Sequence, residues 1–189
     1  MSTLIEKEFL LINDIVREIH AAGNVREMGE IFLTLIRKLI PYHSASFIVT
    51  TPQNPMYVNA TDDIFIDVSV EQVKEYNKYI ALDFTNPAFT YPKSTSFRDS
   101  DMISEEEREN TEFYNKWMKN NNIRYSGGIV VKTPECNVIS STIYRSKFNG
   151  SFTEREMMIL DMFLLSFLQN WNRYYYLDYY LQYALQNTL

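Results

Sequence analysis

Between Tyr76 and Val131 the chain gathers most of the side chains able to hold a small molecule: Tyr76, Tyr79, Asp83, Phe89, Phe97, Arg98, Trp117 and Tyr125. The chemistry these types offer is recognition. Asp83, at the end of a predicted helix, accepts hydrogen bonds. It can serve a buried ligand donor, or bond nearby backbone as Asp does in turns. Tyr76, Tyr79 and Trp117 each carry an apolar ring with one polar tip, which suits a pocket wall and equally a plain core. Arg98, with Asp99 and Asp101 close by, offers either an anion clamp or a structural ion pair that orders its loop.

Catalysis is not set up by these residues. The run DSDMISEEE holds five carboxylates, but it lacks the spacing and the turn glycine of a calcium loop, and its three glutamates suit the start of a helix. His20 and His43 are the only histidines and fall on separate elements, so no metal site is predicted. Cys136 stands alone in a Pro-containing turn with nothing to activate its thiol. A nucleophile elbow, a phosphate loop and a His-paired nucleophile are all missing. The sequence therefore predicts a binding domain that is not an enzyme, with no catalytic residue and no cofactor.

The elements that must position these residues are legible from periodicity. Ile5, Phe9, Ile12, Ile15 and Ile19 recur in steps of three and four and predict a helix over 2–22. Asn24 with Glu27 caps a second, which carries apolar residues until Pro41. Ser44–Thr51 reads as a strand, with shorter candidates at Met56–Val58 and Ile64–Val68. Ser69 with Gln72 predicts a helix to about Ile80, followed by an irregular segment around Asn86, Pro87 and Pro92. Ser104 with Glu107 starts another, fading at the asparagines before Ile123. Tyr125–Lys132 and Val138–Arg145 form the strongest hairpin, and Thr153 with Glu156 opens a long helix or two abutting ones. This order predicts an α+β fold of GAF/PAS type: a mainly antiparallel central sheet, N- and C-terminal helices on one face, and a helix-loop cap on the other.

Composition narrows the class. A chain of 189 residues with 46% hydrophobic and 22% charged content is long enough to bury roughly 70% of its unfolded surface in one core. The net charge is −6 and the basic residues are scattered, which argues against direct nucleic-acid binding by this chain. The single cysteine fits a reducing, cytoplasmic setting. The apolar run from Met157 contains Asp161 and is shorter than the ~20 residues of a membrane helix.

Through YNKYIALDFTNPAF, STSFRDSDMISEEERENTEFYNKWM, YSGGIVV and VISSTIYRSKFNGSFTEREMMILDMF, the chain resembles the GAF-like sensor domains of LuxR-type transcriptional regulators over almost its whole length. More distantly, YIALD with STSF downstream is similar to acyl-homoserine-lactone-binding domains. That likeness implies that Asp83 accepts from a ligand amide, that Tyr79 and Tyr76 contact the lactone, and that Phe97 stands where the family has a tryptophan. Phe84 stands where it has a proline. The resemblance also implies a helix-turn-helix after the sensor; the sequence, which stops at Leu189, is expected to be a sensor without that effector or an excised one.

The predicted ligand-binding set is Tyr76, Tyr79, Asp83, Phe89, Phe97, Trp117 and Tyr125, and the predicted ligand an unknown small molecule. The predicted organisation is a sensor domain at 1–172 and a linker or dimerisation helix at 173–189. In that helix Leu177, Leu181 and Leu185 repeat at four among six tyrosines. Such a surface fits a homodimer, packing on the opening helix, or packing on the domain's own sheet. The alternative to a sensor is an interaction scaffold without a ligand. A cavity of a few hundred Å³ between sheet and cap distinguishes the first from the second.

Overall fold

The computed structural model describes residues 4–50, 58, 63–133 and 138–186, with side chains through 170. Cys136 with its turn, most of the strand candidate at Met56–Val58, and the side chains of the C-terminal tyrosines lie outside the described residues. The chain folds as α1 (Glu6–Ala21), α2 (Val25–Ile36), β1 (Ser44–Thr50), β2 (Ile64–Ile66), α3 (Val70–Tyr79), α4 (Asn86–Thr90), β3 (Thr95–Arg98), α5 (Glu105–Asn110), a π-helical turn (Tyr114–Met118), β4 (Tyr125–Lys132), β5 (Val138–Arg145) and α6 (Glu154–Gln186).

Local chemistry sets most of these boundaries. Asn24 Oδ1 accepts from the Glu27 amide at 2.9 Å and starts α2. Ser69 and Gln72 bond each other's backbone to open α3, and Ser104 and Glu107 do the same for α5. Thr153 and Glu156 close the equivalent pair at the start of α6. Each such box satisfies two amides that a helix start leaves open. α6 is a single helix, continuous through residues 172 and 173.

The five strands form one antiparallel sheet in the order β2-β1-β5-β4-β3. Alternation sends Ala45, Phe47, Ile129, Val131, Ile139 and Ile143 to one face, where they meet α1, α2 and α6 in the main core. There Phe32 of α2 stands edge-on to Phe163 and Phe167 of α6, at 5.2 and 5.0 Å. Gly29 lets α2 lie close to the sheet, since a Cβ at that position would be 2.6 Å from the Phe47 ring. The opposite face is covered by α3, α4, α5 and the turns between them. The predicted α+β layering, with terminal helices on one side and a cap on the other, is the layering observed.

Three local expectations are corrected. The segment after Pro92, predicted irregular, contains β3, whose Phe97 pairs with Gly128 of β4. Four residues are too few to show alternation, and this edge strand is specified by its partner rather than by its own pattern. The helix from Ser104 stops at Asn110 and resumes as the π-helical turn, ending in a 3₁₀ turn at Lys119–Asn121 and a left-handed Asn122 with φ 56°. The strand predicted to Val68 ends at Ile66, because Asp67 also adopts a left-handed backbone, with φ 55°.

Candidate ligand site

Under the cap the sheet is unusually polar for a buried surface. β1 contributes Ser44 and Ser46, β5 contributes Ser140, Thr142 and Tyr144, and β4 contributes Ser126. These are the residues that alternate with the core-facing set, so the same period that builds the core builds this floor. Above it lie Val73 and Tyr76 of α3 and Trp117 of the π-helical turn.

Tyr76, Asp83 and Trp117 are brought together. Tyr76 Oη donates to Asp83 Oδ2 at 2.9 Å. The other carboxylate oxygen accepts from the Thr85 amide at 2.8 Å and from Thr85 Oγ1 at 2.7 Å. Asp83 is thus a turn residue and a buried acceptor at once, with both oxygens engaged inside the protein. Burial pushes its carboxyl above the usual carboxylate range, and the Thr85 and Tyr76 hydrogen bonds pull the other way. Burial, reinforced by the neighbouring Asp83, holds the Tyr76 hydroxyl well above its ordinary value, and burial pushes that of Tyr144 up to about 12. Trp117 Nε1 donates to the Gln72 carbonyl at 3.2 Å.

The rings interlock. Trp117 lies 4.9 Å from Tyr76, stacks on Phe113 at 5.4 Å and meets Tyr144 edge-on at 5.9 Å, while Phe84 stands edge-on to Phe113 at 5.6 Å. Between them and the floor, Ser44, Ser46, Ile48, Val58, Phe65, Val68, Gln72, Val73, Tyr76, Trp117, Ile123 and Tyr144 enclose a cavity of about 20 Å³. That is room for about one water molecule, so the expected cavity of a few hundred Å³ between sheet and cap is not present: the interlocked rings fill the space. Every lining side chain is neutral.

The remaining predicted residues fall elsewhere. Tyr79 packs at the margin of the Phe113–Trp117 cluster. Phe89 and Phe97 meet at 5.7 Å in a second cluster with Ala88 and Val130. Tyr125 packs against the main core, its ring 5.3 Å from the Arg108 guanidinium. Arg98 is a structural cation: it bonds Asp101 at 2.8 Å, Glu154 at 2.5 Å and the Phe152 carbonyl at 3.0 Å. The DSDMISEEE carboxylates also act structurally. Asp99 is buried and accepts from Arg108 Nη1 at 2.6 Å and from the Ser126 amide at 2.7 Å. Glu105 pairs with Arg124, as does Glu109 just past the run, and Glu107 caps α5 through Ser104. Among the described residues no cluster of His, Cys, Asp and Glu is arranged to hold a metal ion.

Sequence reasoning missed Ser44, Ser46, Tyr144, Phe113 and Arg108. A signal existed for Tyr144: in Val138–Arg145 the apolar residues Ile139 and Ile143 take one face, leaving Ser140, Thr142 and Tyr144 for the other. For Arg108, lying in EEEREN, there was none.

No family model and no curated protein sequence matches the chain. Solved structures do. The ligand-binding domain of VqsR from Pseudomonas aeruginosa matches with a TM-score of 0.62 and 10% identity, over 88% of this chain and 94% of that one. CepR2 from Burkholderia cenocepacia, an N-acylhomoserine-lactone-dependent LuxR family transcription factor, gives 0.58 and 12%, over 88% and 93%. SdiA from Escherichia coli, in complex with octanoyl-rac-glycerol, gives 0.58 and 14%, over 90% and 68%. The chain has the fold of LuxR-type ligand-binding domains.

Proposed function

We propose that this chain is the small-molecule-sensing domain of a LuxR-type transcriptional regulator, with the ligand received between the sheet and the cap. The observation that carries the reading is the fold shared with LuxR-type ligand-binding domains, and it is supported by the seam, where a neutral polar floor of Ser44, Ser46 and Tyr144 faces Tyr76 and Trp117. Such a surface solvates hydroxyl or carbonyl groups at one end of a molecule and an apolar body at the other. With no charged side chain in the lining and Asp83 satisfied by Tyr76 and Thr85, the ligand is neutral and partly apolar. SdiA, whose structure holds octanoyl-rac-glycerol, supports a ligand of that kind. Of the predicted set, Tyr76 and Trp117 line the seam and Asp83 is tied to it through Tyr76; Tyr79 packs at its margin, while Phe89, Phe97 and Tyr125 belong to other clusters.

Binding separates the rings and selects an open cap. The signal has a physical path to α6. Ser96 and Arg98 of β3 bond Asp161 and Glu154 of α6 at 2.5 Å each, while Phe97 between them packs on the cap side. Arg145 of β5 pairs with Glu156, next to Tyr144 in the site. α6 then carries the change to a second copy of the chain and to a DNA-binding domain, in a cytoplasmic protein that is not an enzyme. No described helix is long and apolar enough to cross a membrane.

A second reading, the interaction scaffold, is favoured by the interlocked rings and the small cavity. A thermal-shift series with octanoyl glycerol and other neutral acyl compounds separates them. The sensor is stabilised by a saturable ligand, by about 2.7 kcal/mol at a hundredfold excess over Kd, and Ser46→Trp abolishes the effect. The scaffold is stabilised by none.

A further inference from the structure

We propose that the π-helical turn Tyr114–Met118 is the gate of this site and that Trp117 leaves the seam when the turn slips to α-helical register. The inference rests on reading the seam as the ligand site and assigns its moving part. π-helical turns are rare, well under 1% of residues, and recur where a helix has a functional irregularity. Here the irregularities are concentrated: the π turn runs into a 3₁₀ turn at Lys119–Asn121 and a left-handed Asn122.

Side-chain amides add bonds to backbone carbonyls through this segment. Asn115 donates to the carbonyls of Glu109 and Thr111, Asn120 to that of Lys116 and Asn121 to that of Trp117. Such bonds offer the backbone an alternative to the helical ladder. Besides the packing of Tyr76 on Trp117, two hydrogen bonds fasten the segment to α3, and both involve Gln72: its carbonyl accepts from Trp117 Nε1, and its side chain donates to Asn121 Oδ1 at 2.7 Å. Releasing the extra residue of the π turn rotates the C-terminal side of the turn by roughly 100° relative to the N-terminal side. Trp117 is the large ring that this rotation takes out of the cavity wall.

The test needs no ligand. With Trp171→Phe, Trp117 is the sole tryptophan, and 5-fluorotryptophan gives it one ¹⁹F resonance. Relaxation dispersion on the unliganded protein is expected to show millisecond exchange. Deleting the exposed Asn115, which lets the turn close as α-helix, removes it. Asn121→Ala, which removes one of the two hydrogen bonds to Gln72 while leaving the core intact, raises the open population severalfold, and amides 113–123 exchange with deuterium faster than those of α3 and the sheet. A dispersion-free line, with 113–123 exchanging only through global unfolding, overturns the gate. Exchange at Trp117 in a protein that no compound stabilises keeps the gate and sinks the sensor; stabilisation by a ligand with Trp117 silent does the reverse.

Discussion

Single residues in the seam carry measurable costs. The Tyr76 hydroxyl gives Asp83 one of its three hydrogen bonds, so Tyr76→Phe is expected to lower stability by about 1.5–3 kcal/mol in urea denaturation, the range for a bond to a charged group. Tyr144 supplies a pH test. Its folded value is raised to about 12 from an ordinary 10, so the folded state holds that proton more tightly than the unfolded chain. Its contribution is complete below pH 10 and is lost as pH rises toward 12, on the order of 3 kcal/mol. Unfolding free energy measured between pH 9.5 and 11.5 is expected to fall more steeply in the natural protein than in Tyr144→Phe.

At the scale of elements, the start of α6 is where sheet and output helix are joined. Arg145 is buried and holds Glu156 as well as the Pro41 carbonyl, and the same Glu156 carboxylate accepts from the Thr153 amide at 2.9 Å. Glu156→Gln therefore leaves a buried guanidinium without its counter-charge and weakens the helix cap together. Its expected cost is about 3 kcal/mol, read as a shift in denaturation midpoint. The helix starts were legible in the sequence because capping is local: Ser69–Gln72, Ser104–Glu107 and Thr153–Glu156 lie three residues apart and need nothing else. β3 was not legible, since four residues acquire strand character only from β4 across the fold. The π turn was hidden for a related reason: YNKWM has the composition of an ordinary helix, and its register is decided by what Trp117 and Asn121 bond on α3. Tyr76, Asp83 and Trp117 could be named from residue type, but Ser44 and Ser46 read as strand residues until the sheet showed which side they face.

For the whole molecule, the layering divides labour. One face of the sheet is a filled core of Ile12, Phe32, Phe47, Phe163 and Phe167, all buried, and it holds the domain rigid. The other face pairs hydroxyls with aromatic rings around the π-helical turn, the segment on which the proposed gate acts. α6, at 33 residues, is about 50 Å long, twice the reach of the eight-residue strands β4 and β5. The sheet is too short to cover all of it, and under the proposed function the remainder pairs with a second copy.

The most direct measurement is native mass spectrometry of the protein purified from its own host, beside the Ser46→Trp variant. The expected result is a neutral adduct of a few hundred daltons on the natural protein, bound one per chain and absent from the variant. Bare protein in both samples, or an adduct that survives Ser46→Trp, would contradict a ligand seated between sheet and cap.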